Sequence, residues 1–170
     1  MHRMGRFLRI CILVGLLFVA SYYFYSHYSS KQPTPPGYYY VSYVFDGDTV
    51  EVDMNGTPEK IRMIGVDTPE THKPNTPVQC YGPEASDFTK TRLTHKNVRL
   101  ESDEINQDRD RYGRLLRYVY TDDGVLWNAE LVKLGYGRAL TAFPFTKLSE
   151  FESYGSLAKS SNQGLWASCQ

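Results

Sequence analysis

Apolar and polar residues alternate along much of the chain, and this alternation predicts β-strands. Three such runs lie at residues 38–45, 49–54 and 59–66. The pairs Asp46-Gly47 and Asn55-Gly56 stand between them, and pairs of this type form the tight turns that join antiparallel strands. The first part of the domain is therefore predicted to be a three-stranded antiparallel meander.

Helical spacing of apolar residues appears in three segments further along the chain. The first has Pro83 in its opening turn, and its apolar side recurs as far as Leu93. Asn128 is expected to cap a short second helix that ends at Gly135. The last segment runs from about Thr146 to Ser160. We therefore expect about three helices.

Two further alternating runs, at residues 97–102 and 115–121, bring the predicted strands to five. Five short strands with a helix inserted after the third fit a small Greek-key barrel of the OB type, closed by helices. The sequence shows no internal repeat and no second domain. We therefore predict an α+β fold, mainly β, in which residues 38–170 form one five-stranded OB-fold domain.

The N-terminal segment differs in composition from this domain. Three arginines precede an unbroken apolar run over residues 10–20, an arrangement typical of a secretory signal or a short membrane anchor rather than of a buried core helix. We assign residues 1–28 to a signal peptide or signal anchor. The proline-rich residues 29–37 form an extended tether. The domain is therefore expected outside the cytoplasm, either secreted or tethered to the membrane by this segment.

The formal net charge of zero conceals a difference between the two parts of the chain. Four of the 19 basic residues lie in residues 1–31, which contain no acid, so the remaining 15 bases face 19 acids and this part carries a net charge of −4. This balance argues against a broad basic surface for nucleic acid. Any recognition of phosphate must come from a few placed arginines.

The cysteines bear on whether the domain lies outside the cytoplasm. Of the three cysteines, Cys11 lies in the leader, which leaves Cys80 and Cys169 as an even pair in an exported domain. A disulfide between them is the simpler hypothesis. Two free buried thiols are the alternative.

Charged residues that core packing does not require fall at four places. These are Asp46–Thr49, Arg62, Asp67–Glu70 and residues 108–114. In the predicted meander the first turn and the end of the third strand lie on one rim, so Asp48 and Asp67 can meet. Two carboxylates, a backbone carbonyl and water form a site of hard oxygen ligands, which suits Ca²⁺ or Mg²⁺ rather than zinc.

Two arginines beside such a cation suit phosphate chemistry. Arg62 and Arg114 offer planar forks of donors to a phosphate whose oxygens gain charge in a transition state. Glu70 is then a carboxylate near the metal, able to orient or deprotonate a water. Taken singly, each arginine also fits a solvated or salt-bridged strand residue. Together, these residues favour a phosphoryl-transfer site.

Four stretches of the chain carry a resemblance to a known family. They read FDGDTV at 45–50, RMIGVDTPE at 62–70, YGPEAS at 81–86 and DRYGR at 110–114. In this order and spacing they resemble the staphylococcal nuclease, or thermonuclease, family over about residues 40–168. The resemblance implies an enzyme that hydrolyses phosphodiester bonds of DNA and RNA and leaves 3′-phosphate ends.

The resemblance also implies a metal site and the residues around it. Asp48, Asp67 and the backbone carbonyl of Thr68 would bind Ca²⁺. Asp46 would lie next to these ligands without contacting the metal itself. Glu70 would serve as the general base or as the group that orients the water.

The substrate contacts follow from the same resemblance. Arg62 and Arg114 would hold the scissile phosphate and stabilise the pentacoordinate state, and Tyr112 would lie near the bound nucleotide. The family's type protein is strongly basic, whereas this domain is acidic, and its aromatic residues beyond the last strand have no secure counterpart among residues 141–145. That aromatic contact is therefore left open.

The leading hypothesis is an exported, monomeric, Ca²⁺-dependent endonuclease whose partner is nucleic acid. A noncatalytic OB-fold module that binds single-stranded nucleic acid or a protein partner is the alternative, but a binding module has no need of the acids. A membrane-tethered structural protein that binds Ca²⁺ is a third hypothesis. Arg114 argues against it, because structural calcium sites do not require an arginine.

Overall fold

A computed structural model describes residues 14–23, 36–71 and 77–169 of the chain. Residues 14–23 are helical (α1) and exposed, and they fall in a separate compact unit, Met1–Thr34, from the remainder at Pro35–Gln170. Among the described residues, no helix has the length and apolar character needed to cross a membrane. Most of the predicted leader and tether lies outside the described residues.

The second unit contains seven strands and four helices among its described residues. The strands are β1 (Tyr38–Asp46), β2 (Thr49–Met54), β3 (Thr57–Met63), β4 (Val66–Asp67), β5 (Asn97–Glu101), β6 (Leu115–Tyr120) and β7 (Arg138–Ala139). The helices are α2 (Gly82–Leu93), α3 (Trp127–Lys133), α4 (Leu148–Ser160) and α5 (Leu165–Ser168).

Five of the strands close into a barrel in the order β1-β2-β3-β6-β5, and β5 pairs back onto β1. Neighbouring strands are antiparallel except β3 and β6, which are parallel. The core inside is formed largely by inward-facing valines with Ile61, Met63 and Tyr118, as the period of two predicts. The predicted five-stranded OB-type barrel with helices is confirmed.

The third predicted strand is divided in the structure. β3 ends at Met63, and the short β4 pairs with β7 in a separate two-stranded sheet. Gly65 lies between them with φ +76°, and a Cβ added to it would lie 2.8 Å from the ring of Phe145. The chain turns there because glycine alone tolerates both the backbone angle and the close ring. The single strand predicted over residues 59–66 was therefore wrong in its last residues.

The predicted role of Asn128 was also wrong. Helix α3 begins at Trp127, one residue before it, and Leu126 at the N-cap makes no side-chain capping bond. Asn128 is fully buried. Its side chain accepts a hydrogen bond from the Val119 amide at 2.8 Å and donates to the Ile64 carbonyl at 2.9 Å. The amide therefore satisfies backbone groups where the barrel strands end, which a buried apolar side chain would leave unpaired.

The last helices close the domain and carry its covalent link. Helix α4 begins at Leu148 rather than at Thr146, because the Thr146 amide and hydroxyl donate instead to Asp103 at 2.8 and 2.6 Å. Cys80, just before α2, forms a disulfide with Cys169, just after α5. The structure thus contains the predicted disulfide, and the two cysteines are not the free thiols of the alternative.

Candidate functional site

An open cleft of about 680 Å³ at one rim of the barrel gathers the residues that the sequence singled out. Its lining includes all eight of them, namely Asp46, Asp48, Arg62, Asp67, Thr68, Glu70, Tyr112 and Arg114. They come from the β1–β2 turn, β3, the segment after it and the loop before β6. The barrel topology therefore places four separated stretches of sequence around one space.

Asp48 is held rigidly in the turn between β1 and β2. Its Oδ1 accepts a hydrogen bond from Thr49 Oγ1 at 2.9 Å, and its Oδ2 accepts from the amide and hydroxyl of Thr68 at 2.8 and 3.0 Å. The residue is 5% exposed. The preceding Gly47 is required by this contact, because a Cβ there would lie 2.8 Å from the Thr68 Cγ2.

Arg62 stands between the two predicted metal-binding carboxylates. Its Nη2 lies 3.2 Å from Asp48 Oδ2 and 3.0 Å from Asp67 Oδ1. Its Nη1 donates to the carbonyls of Val66 at 2.7 Å and Met63 at 3.0 Å. These bonds fix the guanidinium at the end of β3. The Met63 and Val66 carbonyls lie on either side of Gly65, so the turn at this glycine helps to hold the arginine toward the cleft.

Asp48, Asp67 and Thr68 are the residues that would hold a cation. Their donors would be two carboxylates and a backbone carbonyl, which are the hard oxygen ligands that Ca²⁺ prefers. Both carboxylates contact the same nitrogen of Arg62, so oxygens of both lie close to one positive charge. No group of three or more His, Cys, Asp or Glu side chains is placed to bind a metal in the part of the chain that the structure describes.

Arg114 enters the cleft from the loop before β6 and is oriented by Asp110. The Asp110 Oδ2 accepts from Arg114 Nε at 2.7 Å and also lies 2.7 Å from Nη2, while its Oδ1 accepts from the Arg114 amide. Burial disfavours the charged carboxylate, but these bonds and the Tyr112 amide outweigh it, so the pKa of Asp110 is lowered. Asp110 therefore stays ionised and fixes the fork of Arg114.

Tyr112 lies between two guanidinium groups on the same loop. Its ring centre is 4.8 Å from the Arg111 carbon and 5.3 Å from that of Arg114, and its hydroxyl accepts from Arg111 at 2.6 Å. The residue is 68% exposed. The ring is therefore accessible at the edge of the cleft and lies close to the positive charges of Arg111 and Arg114.

Glu70 is positioned through its backbone. Its amide donates to Gln79 Oε1 at 3.0 Å, and its carbonyl accepts from the Gln79 amide at 3.0 Å. A Cβ added at Gly82 would lie 3.0 Å from the same carbonyl, which shows how closely α2 approaches. Asp46 accepts a hydrogen bond from Thr71 Oγ1 at 3.0 Å, so it anchors the segment after Glu70 to the end of β1.

A second space, called here the side cavity, adjoins the cleft and has a volume of about 470 Å³. Arg62, Tyr112 and Arg114 line both spaces. Phe143 and Phe145 line the side cavity, and Phe143 is 62% exposed. The Phe143 ring is therefore an accessible aromatic surface within residues 141–145, whereas Phe145 is 3% exposed and packs in the core.

Sequence reasoning missed two residues that orient the site. Asp110 lies four residues before Arg114, and a carboxylate at that spacing within the DRYGR stretch was a usable signal. Gln79 lies outside every motif, and its side chain reaches the amide of Glu70, nine residues away along the chain. Nothing in the sequence alone pointed to it.

Comparison with known proteins identifies relatives of this chain. Residues 60–168 match the family described as Staphylococcal nuclease homologue. The chain is 49% identical over 130 residues to the thermonuclease of Staphylococcus hyicus, which covers 76% of this chain and 75% of the relative. It is 54% identical over 101 residues to the thermonuclease of Staphylococcus intermedius, covering 59% of this chain and 58% of the relative. Endonuclease YncB of Bacillus subtilis is 41% identical over 124 residues, covering 72% and 58%.

An OB-type barrel whose rim presents clustered carboxylates and two oriented arginines, together with these relatives, defines a nuclease, a hydrolase of phosphodiester bonds. The chain belongs to the staphylococcal nuclease family. The family resemblance drawn from the four stretches is thereby confirmed.

Proposed function

We propose that the protein is an exported, Ca²⁺-dependent endonuclease that hydrolyses DNA and RNA and leaves 3′-phosphate ends. The observation that carries this proposal is the convergence of Asp48, Asp67, Arg62, Glu70 and Arg114 on one open cleft. Its named relatives are thermonucleases and endonucleases. A site built for binding alone would not need buried or clustered acids beside the phosphate, because they repel it.

Arg62 and Arg114 bind the scissile phosphate from two directions. The Arg62 guanidinium is held by two carboxylates and two backbone carbonyls, and the Arg114 guanidinium is held by the Asp110 carboxylate, so the donors of both are aimed before substrate arrives. Preorganised donors stabilise the charge that develops on the phosphoryl oxygens. Ca²⁺ bound by Asp48, Asp67 and the Thr68 carbonyl would add positive charge against the same oxygens.

Glu70 acts on the attacking water, by orienting it or by accepting its proton. The water oxygen forms a bond to phosphorus, the bond from phosphorus to the 5′-oxygen breaks, and the 5′-oxygen takes up a proton. The product is therefore a 3′-phosphate and a free 5′-hydroxyl. The two hydrogen bonds from Gln79 hold the Glu70 backbone in place at the cleft.

The side cavity receives a nucleoside next to that phosphate. The exposed rings of Tyr112 and Phe143 offer surfaces on which a base can stack, and such stacking is tolerant of sequence. Stacking on a base face does not involve the 2′-hydroxyl by which RNA differs from DNA, so we propose that the enzyme acts on both DNA and RNA.

The protein acts outside the cytoplasm as a monomer in this proposal, either secreted or held to the membrane by residues 1–28. The basic and apolar composition of that segment supports export. The disulfide between Cys80 and Cys169 supports an oxidising compartment.

The test is hydrolysis of single-stranded DNA and RNA with Ca²⁺ and then with excess chelator. We expect cleavage that the chelator abolishes and that Asp67→Asn reduces severely. Asp87→Asn is the matched control, because Asp87 is an exposed carboxylate in α2 paired with Lys90. Full cleavage in chelator would contradict the metal assignment. Binding without cleavage under any condition would favour the noncatalytic OB-fold module.

A further inference from the structure

Two aromatic rings and a lysine continue the cleft along the outer face of the barrel. Phe45 and Lys60 line the cleft, and the Lys60 Nζ lies 4.3 Å from the centre of the Phe45 ring. The ring of Tyr43 packs edge-on against Phe45 with ring centres 4.8 Å apart, and Tyr43 is 53% exposed. Tyr43, Phe45 and Lys60 are called the outer aromatic cluster below.

Strand register places this cluster beside the arginine that contacts phosphate. Lys60 and Arg62 are two residues apart in β3, so their side chains leave the same face about 7 Å apart. This separation is of the same order as that between neighbouring phosphates of one extended strand. Tyr43 pairs with Glu51, which pairs with Lys60, and the Glu51 carboxylate accepts a hydrogen bond from Ser42 at 2.9 Å. Tyr43 in β1 and Lys60 in β3 therefore lie in one row across the sheet, with Glu51 of β2 between them.

The outer aromatic cluster and the side cavity lie on different sides of Arg62 and Arg114. Arg62 and Arg114 line both the cleft and the side cavity, whereas Phe45 and Lys60 line the cleft and not the side cavity. A strand that places one base in the side cavity and the scissile phosphate on the arginines therefore continues toward Phe45 and Lys60.

We propose that the outer aromatic cluster is a second nucleotide subsite, which binds the nucleotide across the scissile phosphate from the side cavity. Lys60 pairs with the next phosphate, the exposed Tyr43 ring stacks on the next base, and Phe45 supports both. The position of the scissile phosphate in this proposal rests on the proposed function. An unpaired base is needed for stacking, so the subsite favours single strands of any sequence.

The test is binding, because binding can be measured whether or not the protein cleaves. The probe is a fluorescent single-stranded DNA hexanucleotide with methylene phosphonate linkages, which keep their charge and resist hydrolysis. Titration by anisotropy with Ca²⁺ present gives the Kd for the wild type and for Tyr43→Ala. We expect Kd to rise by about 5- to 160-fold, as the loss of one base–aromatic stack predicts.

Abasic probes show whether Tyr43 contacts a base. Removing the base at the nucleotide that occupies the subsite should weaken wild-type binding by a similar factor. The same abasic probe should bind wild type and Tyr43→Ala equally. If no position in the hexanucleotide shows this coupling, the subsite is refuted.

Lys60→Ala tests the phosphate contact. The slope of log K against log salt should become shallower by about 0.7, the value for one phosphate of a single strand. Lys133→Ala is the matched control, because Lys133 lies 4.4 Å from the Tyr154 ring centre and lines neither space. An unchanged slope in Lys60→Ala would overturn the phosphate contact.

Cleavage of an ordinary oligonucleotide by the same preparations separates the two proposals. If the protein cleaves the oligonucleotide but Tyr43→Ala binds the probe as tightly as the wild type, the subsite alone is overturned. Tyr43-dependent binding without cleavage under any metal condition keeps the subsite and overturns the proposed function.

Discussion

At the scale of single residues, the site depends on arginines whose orientation is fixed before substrate binds. The backbone amide and two guanidinium nitrogens of Arg114 all contact the carboxylate of Asp110. Arg62 is fixed by two backbone carbonyls and two acids. In the proposed function, the acids therefore act on phosphate indirectly, by holding the arginines that bind it.

Arg114→Lys should lower kcat by about 100-fold or more while leaving the free energy of unfolding nearly unchanged. Lysine keeps the charge but lacks the planar fork that both Asp110 and phosphate use. The Arg114 side chain is 27% exposed, and pairs of this kind contribute little stability. Steady-state cleavage of a single-stranded oligonucleotide and urea unfolding measure the two quantities.

Arg92→Lys is the control for that substitution, because Arg92 pairs with Asp123 and lines neither the cleft nor the side cavity. Near wild-type turnover in Arg114→Lys would show that the phosphate is held elsewhere.

The charged residues of the cleft stand out in the sequence, because their types and positions have no use in packing. Asp48, Arg62 and Arg114 were predicted for this reason, and the structure places them around one cleft. Asn128 was misread because a polar residue at the start of a helix resembles a cap in sequence. Its buried hydrogen bonds depend on strands far away along the chain.

At the scale of elements, Asp103 joins the loop after β5 to the start of α4. Its carboxylate accepts hydrogen bonds from Tyr118 at 2.7 Å, from the Thr146 hydroxyl and amide, and from the amides of Ile105 and Asn106. Burial raises the pKa of Asp103, but these hydrogen bonds outweigh it and lower the pKa to about 2. The link is therefore strongest when the carboxylate is charged.

This shift predicts how stability depends on pH. Because the pKa is lower in the folded chain than the usual value of about 3.9, the charged form adds about 2.5 kcal/mol above pH 4. That contribution is lost as pH falls from about 4 to about 2. The difference in unfolding free energy between wild type and Asp103→Asn should therefore shrink over this range in urea titrations. A difference that is constant with pH would contradict the assignment.

The regular elements were predictable where one face of a strand is buried. The alternation of β1 and β2 appears in the structure with the boundaries expected to within a residue. The end of β3 was not predictable, because Met63, Ile64 and Val66 are all buried on both sides of the turn. A continuous apolar run cannot show that the chain changes sheets within it.

At the scale of the whole molecule, the disulfide closes a long loop. Cys80 and Cys169 are 89 residues apart, and on the chain-entropy account such a bond stabilises the fold by about 4 to 5 kcal/mol. Reduction should lower the urea midpoint accordingly. The Cys80→Ser/Cys169→Ser variant should unfold at the reduced midpoint with or without reductant. Equal midpoints for oxidised and reduced wild type would contradict this.

The net charge of the domain predicts weak dependence of binding on salt. A domain of net −4 that uses a few cations should neutralise about two to four phosphates, so log K for a single strand should fall with log salt at a slope of about −1.5 to −3. Glu70→Gln with Ca²⁺ present suppresses cleavage during the titration. A slope near −6 would reveal a basic surface that carries the binding instead.

In the proposed function, water attacks phosphorus in this cleft and releases the 5′-oxygen. The most direct measurement is hydrolysis of a single-stranded oligonucleotide in ¹⁸O-labelled water with Ca²⁺, followed by mass spectrometry of the products. We predict one ¹⁸O atom in a 3′-phosphate end and none in the 5′-hydroxyl end, with the products absent in Arg62→Ala/Arg114→Ala. Label in a 5′-phosphate, or undiminished product from the double variant, would contradict the account.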